Sequence, residues 1–309
     1  MSLISVVICT HNPREQYLQR VLDALQRQTL PLTDWELLII DNASQIPLSS
    51  TWNLSWHPLG RIIREKKTGL TAARLCGYQA AKSEVLVFVD DDNVLEPDYL
   101  AQVHQIFQQY PGLGAIGGKS IPDFEIAPES WMVEFYKMLA LRDFGEQSLI
   151  SQAFDSEGPN AYPDFAPAGI GLAIRQSAFQ IYAERVLTDQ QRLSFGRTGQ
   201  QLTSGEDNDI VLTILEQGWQ VGYFPELKII HIIAASRLNK EYLARLNYAS
   251  TRSWVQVLRV HRIEAWQRIQ PWTVMLRKLK AFLAYQAWRN AAAYVRWRGA
   301  CGLYEGLAE

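Results

Sequence analysis

Residues 84–98 read EVLVFVDDDNVLEPD. A run of β-branched and apolar side chains stops on three consecutive aspartates, and a helix signal follows near Pro97. Such a short apolar run predicts a strand buried on both faces. The aspartates then stand at its carboxyl end, where mutual repulsion raises their proton affinity unless something positive neutralises them. A single Asp or Asn before a first-turn proline is an ordinary helix cap, the local alternative for Asp92 or Asn93. Three exceed what a cap needs, and a hard divalent cation, Mn²⁺ or Mg²⁺, is one neutraliser suited to carboxylate oxygens.

Outward from this stretch the same pattern repeats. ISVVIC (4–9), WELLIID (35–41) and GRIIRE (60–65) are further apolar runs bounded by polar or Gly-containing turns. Between them, REQYLQRVLDALQRQ (14–28) and GLTAARLCGYQAAK (69–82) place apolar residues at three- and four-residue spacings, as amphipathic helices do. The alternation predicts an α/β fold, a Rossmann-like, mostly parallel sheet with helices on both faces. Ligands of such sheets sit beyond the carboxyl ends of the strands. The polar endings to inspect are therefore Thr10, His11 and Asn12; Asp41 and Asn42; Arg64; and Asp90, Asp91 and Asp92. Residues 143–168 lack a sustained period and read as a long loop. A strand (169–176), a helix (177–186), a second helix (204–218) and two strands, QVGYF and LKIIHII, follow.

The 309 residues, 48% of them hydrophobic, suffice for a substantial core. Three widely spaced cysteines offer neither a disulfide framework nor a zinc-type cluster, which suits a reducing compartment. The first residues lack a basic segment and a long apolar core, so no export signal is expected, and no stretch approaches a membrane span. The net charge of −2 conceals an asymmetry: residues 236–309 hold 13 Arg and Lys against 4 Glu, with five Trp and one Pro. This divides the chain into a catalytic body, 1–235, and a basic, Trp-rich extension, 236–309, that reads as helix throughout. Basic and apolar residues interleave there as in interfacial helices, so a cytoplasmic protein held peripherally on an anionic membrane surface is expected. Packing of the extension on the body or on a second subunit is the competing expectation, and nothing resembles a nucleic-acid-binding module.

Several residues could carry chemistry. RIIREKKTGLTAAR (61–74) sets Arg64 and Arg74 near Gly69 at a helix start, a combination suited to a diphosphate, whereas Lys66 and Lys67 read as solvated. Neither a GxxxxGK[ST] nor a GxGxxG fingerprint is present. Asp41 reads locally as an Asx turn, but its place at a strand end would let it meet a nucleobase or ribose. Glu206 and Asp207 open a helix whose positive end favours acids; pointed into a cleft, such a carboxylate can serve as a general base. His231 ends an apolar run and is the histidine best placed to be a ligand.

Taken in order, SVVICTHN, LLIIDNAS, GLTAARLCG, VFVDDDN, PAGIGLAIR and GEDNDI resemble glycosyltransferase family 2, nucleotide-sugar transferases of the GT-A fold, over about residues 4–237. The resemblance implies metal-dependent, inverting transfer of one sugar from a UDP- or GDP-sugar to a hydroxyl acceptor, free or lipid-linked, in polysaccharide or glycoconjugate biosynthesis. It puts the metal on Asp92, completed by His231, the ribose on Asp90 or Asp91, and the base-contacting aspartate at Asp41. It also lays Thr10, His11 and Asn12 against the nucleoside and makes Asp207 the catalytic base, with Glu206 the next candidate. Leu75 stands where the family often has Asn, and the Q-x-x-R-W motif and membrane spans of processive synthases are missing. A metal-dependent nucleotidyltransferase and a catalytically silent sugar-nucleotide-binding protein of the same fold are the alternatives.

Overall fold

The structure, a computed structural model, describes residues 3–151, 153–154, 162–199 and 201–309. Strands β1 (Ile4–Thr10), β2 (Trp35–Asn42), β3 (Gly60–Glu65) and β4 (Val85–Val89) form a parallel half-sheet in the order β3-β2-β1-β4. Their period of two sends alternate residues to opposite faces. Ile4, Val6 and Ile8 pack with Trp35, Leu37 and Ile39 beneath α1 (Glu15–Gln26) and α3 (Tyr99–Gln109). Val7, Leu38, Ile40, Leu86 and Phe88 face the other way, under α2 (Leu70–Ala80), α4 (Gln176–Thr188) and α6 (Glu206–Glu216). Both faces are covered, which is why these strands are near-continuous apolar runs. The register, Thr10 opposite Asp41 and Asp41 opposite Arg64, brings the polar strand ends to one edge.

The second half of the sheet is mixed. Strand β8 (Leu172–Arg175) runs antiparallel to β4 and to β6 (Leu113–Phe124), and β6 is parallel to β9 (Gln220–Ile233). Short strands β5 (Asn93–Leu95) and β7 (Leu149–Ile150) pair antiparallel with β9. Two expectations need correction here. The runs QVGYF and LKIIHII are one strand, because Pro225, Glu226 and Leu227 occupy an irregularity where β9 loses its register with β6 between Gly118 and Lys119. Proline, which cannot donate to a ladder, is tolerated at such a point. The loop expected over 143–168 contains β7; residues 152 and 155–161 lie outside the described residues.

The extension is helical, but not throughout. Turns and irregular segments separate α7 (Lys240–Val260), α8 (Val274–Ala284) and α9 (Ala291–Ala308), and a short helix α5 (Gln190–Leu193) precedes α6. Asn239 and Asn290 start α7 and α9 by accepting hydrogen bonds from the amides of Tyr242 and Ala293. Helix α7 packs on the body: Leu243 and Leu246 join Ile233 and the 3-10 helix Ser130–Leu139, while Val257 and Leu258 join Phe195 and Leu212. Gly299, Gly302 and Gly306 of α9 lie against α7, and at Gly302 even a methyl group would collide with the Tyr248 carbonyl.

Candidate active site

At the end of β4 the three aspartates take three different surroundings. Asp92 is buried, with the Arg237 guanidinium 3.0 Å from one oxygen and His231 Nε2 3.6 Å from the other. Burial alone would raise its carboxyl, but the polar contact with His231 and the Arg237 charge outweigh that and hold it at about 2. Asp91 accepts a hydrogen bond from the Thr10 hydroxyl; burial and the charge of Asp92 nevertheless push it up to about 7. Burial raises Asp90 too, with Arg74 opposing. The turn is pinned by Asn93, whose side chain donates to Asp92 Oδ1 (2.9 Å) and accepts from the Asp90 amide (3.1 Å). Asn93 itself pairs with His231 across β5 and β9, so the sheet carries the histidine to the aspartates.

The second cluster is the start of α6. Asp207, half-buried, accepts from the amide of Gly169 at 3.2 Å. Glu206 is buried, its nearest counter-charge Arg74 at 3.5 Å, and neither carboxylate oxygen has a hydrogen-bond partner. Burial pushes Glu206 up to about 7, Arg74 only partly opposing. Arg74 also donates to the carbonyl of Gly169 (3.3 Å) and lies over the Phe88 ring, so one buried guanidinium ties α2, α6 and the turn before β8 together.

Both clusters line one cavity of about 800 Å³. Thr10, His11, Gly69, Arg74, Asp90, Asp91, Asp92, Glu206, Asp207 and His231 all reach it. Asn12, Asp41 and Arg64 do not line it. Asp41 is buried in the Asx turn that the sequence offered as the local alternative, accepting from the amides of Ser44 (2.9 Å) and Leu48 (3.1 Å). Arg64 spends its charge on Asp41 (2.8 Å) and on the Ser44 carbonyl (2.7 Å), so it does not face a diphosphate site as expected. Asn12, in a left-handed backbone conformation (φ 50°), ties the end of β1 to the Ser44–Gln45 turn.

Asn42, the strand-end residue next to Asp41, does line the cavity and holds the helix start in place by accepting from the Gly69 amide (2.8 Å) and donating to the Lys67 carbonyl (2.7 Å). Other lining residues were not apparent from the sequence. Lys137 and Glu134 come from the 3-10 helix, Arg142 and Arg197 from loops, and Arg237 from the first turn of the extension. Helix α7 supplies Tyr242, Asn247, Thr251 and Trp254, so the extension is a wall of the cavity. Arg237 lies six residues past His231, whereas Glu134, Lys137, Arg142 and the α7 residues are remote in sequence from every recognised residue.

The donor set can be tested against a divalent cation. Among the described residues no group of three or more His, Cys, Asp and Glu side chains converges on one point. Asp92 and His231 do converge, and a cation held by two side chains and completed by substrate phosphates and water is a normal arrangement for Mg²⁺ or Mn²⁺. The residues present fit that partial shell, with Arg237 already on the second Asp92 oxygen.

Comparison with known proteins agrees with the order of motifs. The sequence model described as glycosyl transferase family 2 matches residues 5–165. The chain belongs to that family. Among curated relatives, glucosyl-dolichyl phosphate glucuronosyltransferase of Haloferax volcanii is 22% identical over 249 residues, 78% of this chain and 72% of that protein. Poly(ribitol-phosphate) beta-glucosyltransferase of Bacillus spizizenii is 22% identical over 186 residues, 57% of this chain and 29% of that one. The solved structure of S. aureus TarS 1-349 in complex with UDP superposes with a TM-score of 0.55 at 12% identity, covering 98% of this chain and 90% of that one. A structure of the same protein with UDP-GlcNAc gives 0.54, at 12% identity and the same coverage. The fold is therefore of the GT-A type, and this family 2 member is a glycosyltransferase.

Proposed function

We propose that the enzyme moves one sugar, with inversion, from a UDP- or GDP-linked donor to an acceptor hydroxyl, free or lipid-linked. The supporting observation is that Asp207 and the Asp92–His231–Arg237 group open into the same cavity from opposite elements. Asp207 takes the proton of the acceptor hydroxyl, whose oxygen attacks the anomeric carbon on the side away from the departing diphosphate. Charge growing on that diphosphate is met by Arg197 and Arg237, fixed cations of the kind that lower such barriers. Mn²⁺ or Mg²⁺, held by Asp92 and His231, would supply further Lewis-acid charge there. Gly69, at the start of α2, offers the helix's positive end to the phosphates, and Asp90 or Asp91 with Thr10 and His11 contacts the nucleoside. TarS, whose solved structures carry UDP and UDP-GlcNAc, supports a nucleotide-sugar donor by likeness of fold.

No described helix is long and apolar enough to cross a membrane, and we place the enzyme peripherally on a cytoplasmic membrane face. The test is a screen of UDP- and GDP-sugars for donor turnover and for binding of the free diphosphates, with and without Mn²⁺ and Mg²⁺. Release of nucleoside diphosphate, and a product of opposite anomeric configuration, are expected. Pyrophosphate release would mean nucleotidyl transfer instead. Equal diphosphate affinity with and without metal, or no change of that dependence in Asp92→Asn, would defeat the metal assignment.

A further inference from the structure

Helix α8 has two sides of opposite fate. Its inner side rests on α9: Ala281 is buried, Phe282 packs against Trp297 with ring centroids 5.2 Å apart, and Lys278 pairs with Glu305. Its outer side carries Met275, Leu276, Leu279 and Leu283, preceded by Trp272, and these side chains are 57–74% exposed. Spacings of three and four residues put them on one stripe. Trp288, 61% exposed, continues it beyond the helix end. Isolated exposed apolar residues are ordinary, but a contiguous stripe of this kind marks a surface that meets something apolar.

The charge around the stripe names the partner. From Ala265 to Tyr304 there is no Asp or Glu and there are seven Arg and Lys. Arg277 and Lys280, both exposed, stand on one flank of the stripe, and exposed Arg289 adjoins Trp288. A cationic border around an apolar strip, with tryptophans at both ends, complements an anionic lipid surface: headgroups meet the cations and acyl chains the strip. The eleven residues of α8 span about 16 Å, roughly half the hydrocarbon thickness, so the helix can lie in the interface and cannot cross it.

We propose that α8 is the membrane-docking element of this enzyme. It lays Trp272, Met275, Leu276, Leu279 and Leu283 into the acyl boundary of an anionic bilayer, with Arg277, Lys280 and Arg289 on the headgroups. The extension thus divides its work: α7 and α9 build the body, and α8 with the flanking Trp272 and Arg289 faces lipid. Because α8 rests on α9 and α9 on α7, the docked surface is continuous with the wall of the cavity. The inference rests on the peripheral placement given above and is independent of the transfer chemistry.

The full chain is floated with vesicles of phosphatidylcholine, alone or mixed with phosphatidylglycerol, at low and high salt. Binding to the anionic vesicles at low salt, weakened at high salt, is expected. Replacing Arg277 and Lys280 with Gln lowers the partition coefficient about fivefold for each charge removed. Leu276→Ser with Leu279→Ser lowers it at least about tenfold while circular dichroism stays that of the parent, since both side chains face solvent. Donor turnover in vesicle-free solution stays unchanged in all these variants, which separates a failure here from a failure of the proposed chemistry. The charge variants keep the test valid should the serine variant fold poorly. Three results overturn the proposal: no flotation with anionic vesicles at low salt, flotation undiminished in the variants, or a wild-type dimer that the serine variant converts to monomer with no vesicle binding.

Discussion

Glu206 and Asp207 are neighbours in sequence and both line the cavity, yet the first turn of α6 leaves Glu206 buried beside Arg74 and Asp207 half-buried. If Asp207 is the base, Asp207→Asn leaves nucleoside diphosphate affinity near that of the wild type and slows transfer about 10²–10⁴-fold. Calorimetry and initial rates on the same preparation check this. Glu206 has a different consequence. Its folded-state value of about 7 lies above the ordinary 4.5, so the folded protein binds the proton more tightly than the unfolded chain does. Stability from this group is therefore greatest below pH 4.5 and declines as pH rises to 7, by about 3 kcal/mol. Glu206→Gln imitates the protonated form, so urea unfolding should find it close to wild type at pH 5 and more stable at pH 8. Equal pH slopes would remove the buried charge from the account. The motifs made Asp92 and Asp207 visible because they sit in short, local patterns. That Asp41 and Arg64 would neutralise each other follows from the pairing of β2 with β3, which no local pattern announces.

Strands β1 to β4 and their helices could be read from periodicity because burial on both faces leaves unbroken apolar runs. Strand β6 could not: LGAIGGKSIPDF carries three glycines and a proline, and β5 has only three residues. Both are held by β9, a long-range partner that propensity does not encode. The glycines have a packing reason. A Cβ on Gly118 would overlap the Leu227 carbonyl and side chain at the register shift, and Leu227 is fully buried. Gly118→Ala must push β9 away from β6, at a cost of about 1–3 kcal/mol. Thermal unfolding should show it as a lowered melting temperature, with diphosphate affinity falling too because β9 carries His231. An unchanged melting temperature would mean that the irregularity yields freely.

At the scale of the molecule, the separation into body and extension suggested by charge gives way to a shared core and a buried ionic link. The side chain of His261, just past the end of α7, is fully buried between Asp209 (2.7 Å) and Glu216 (2.6 Å) of α6. Burial opposes its charge, but the two carboxylates prevail and raise its affinity for the proton. The stabilisation is complete below the unfolded value of 6.5 and is lost as pH rises through the higher folded one. His261→Gln should thus cost most near pH 6 and less as the solution becomes alkaline. Denaturant titrations across that range decide it, and a penalty independent of pH would show that the imidazole is neutral. The family match, meanwhile, ends at residue 165, before α6 and α7, although both border the cavity. The chamber is therefore walled on one side by the segment that the family model matches and on the other by α6 and α7, which lie beyond that match. Exchanging the α7 side chains on that second wall, Tyr242, Asn247, Thr251 and Trp254, would thus reshape what approaches Asp207 and leave the strand ends that carry the three aspartates untouched.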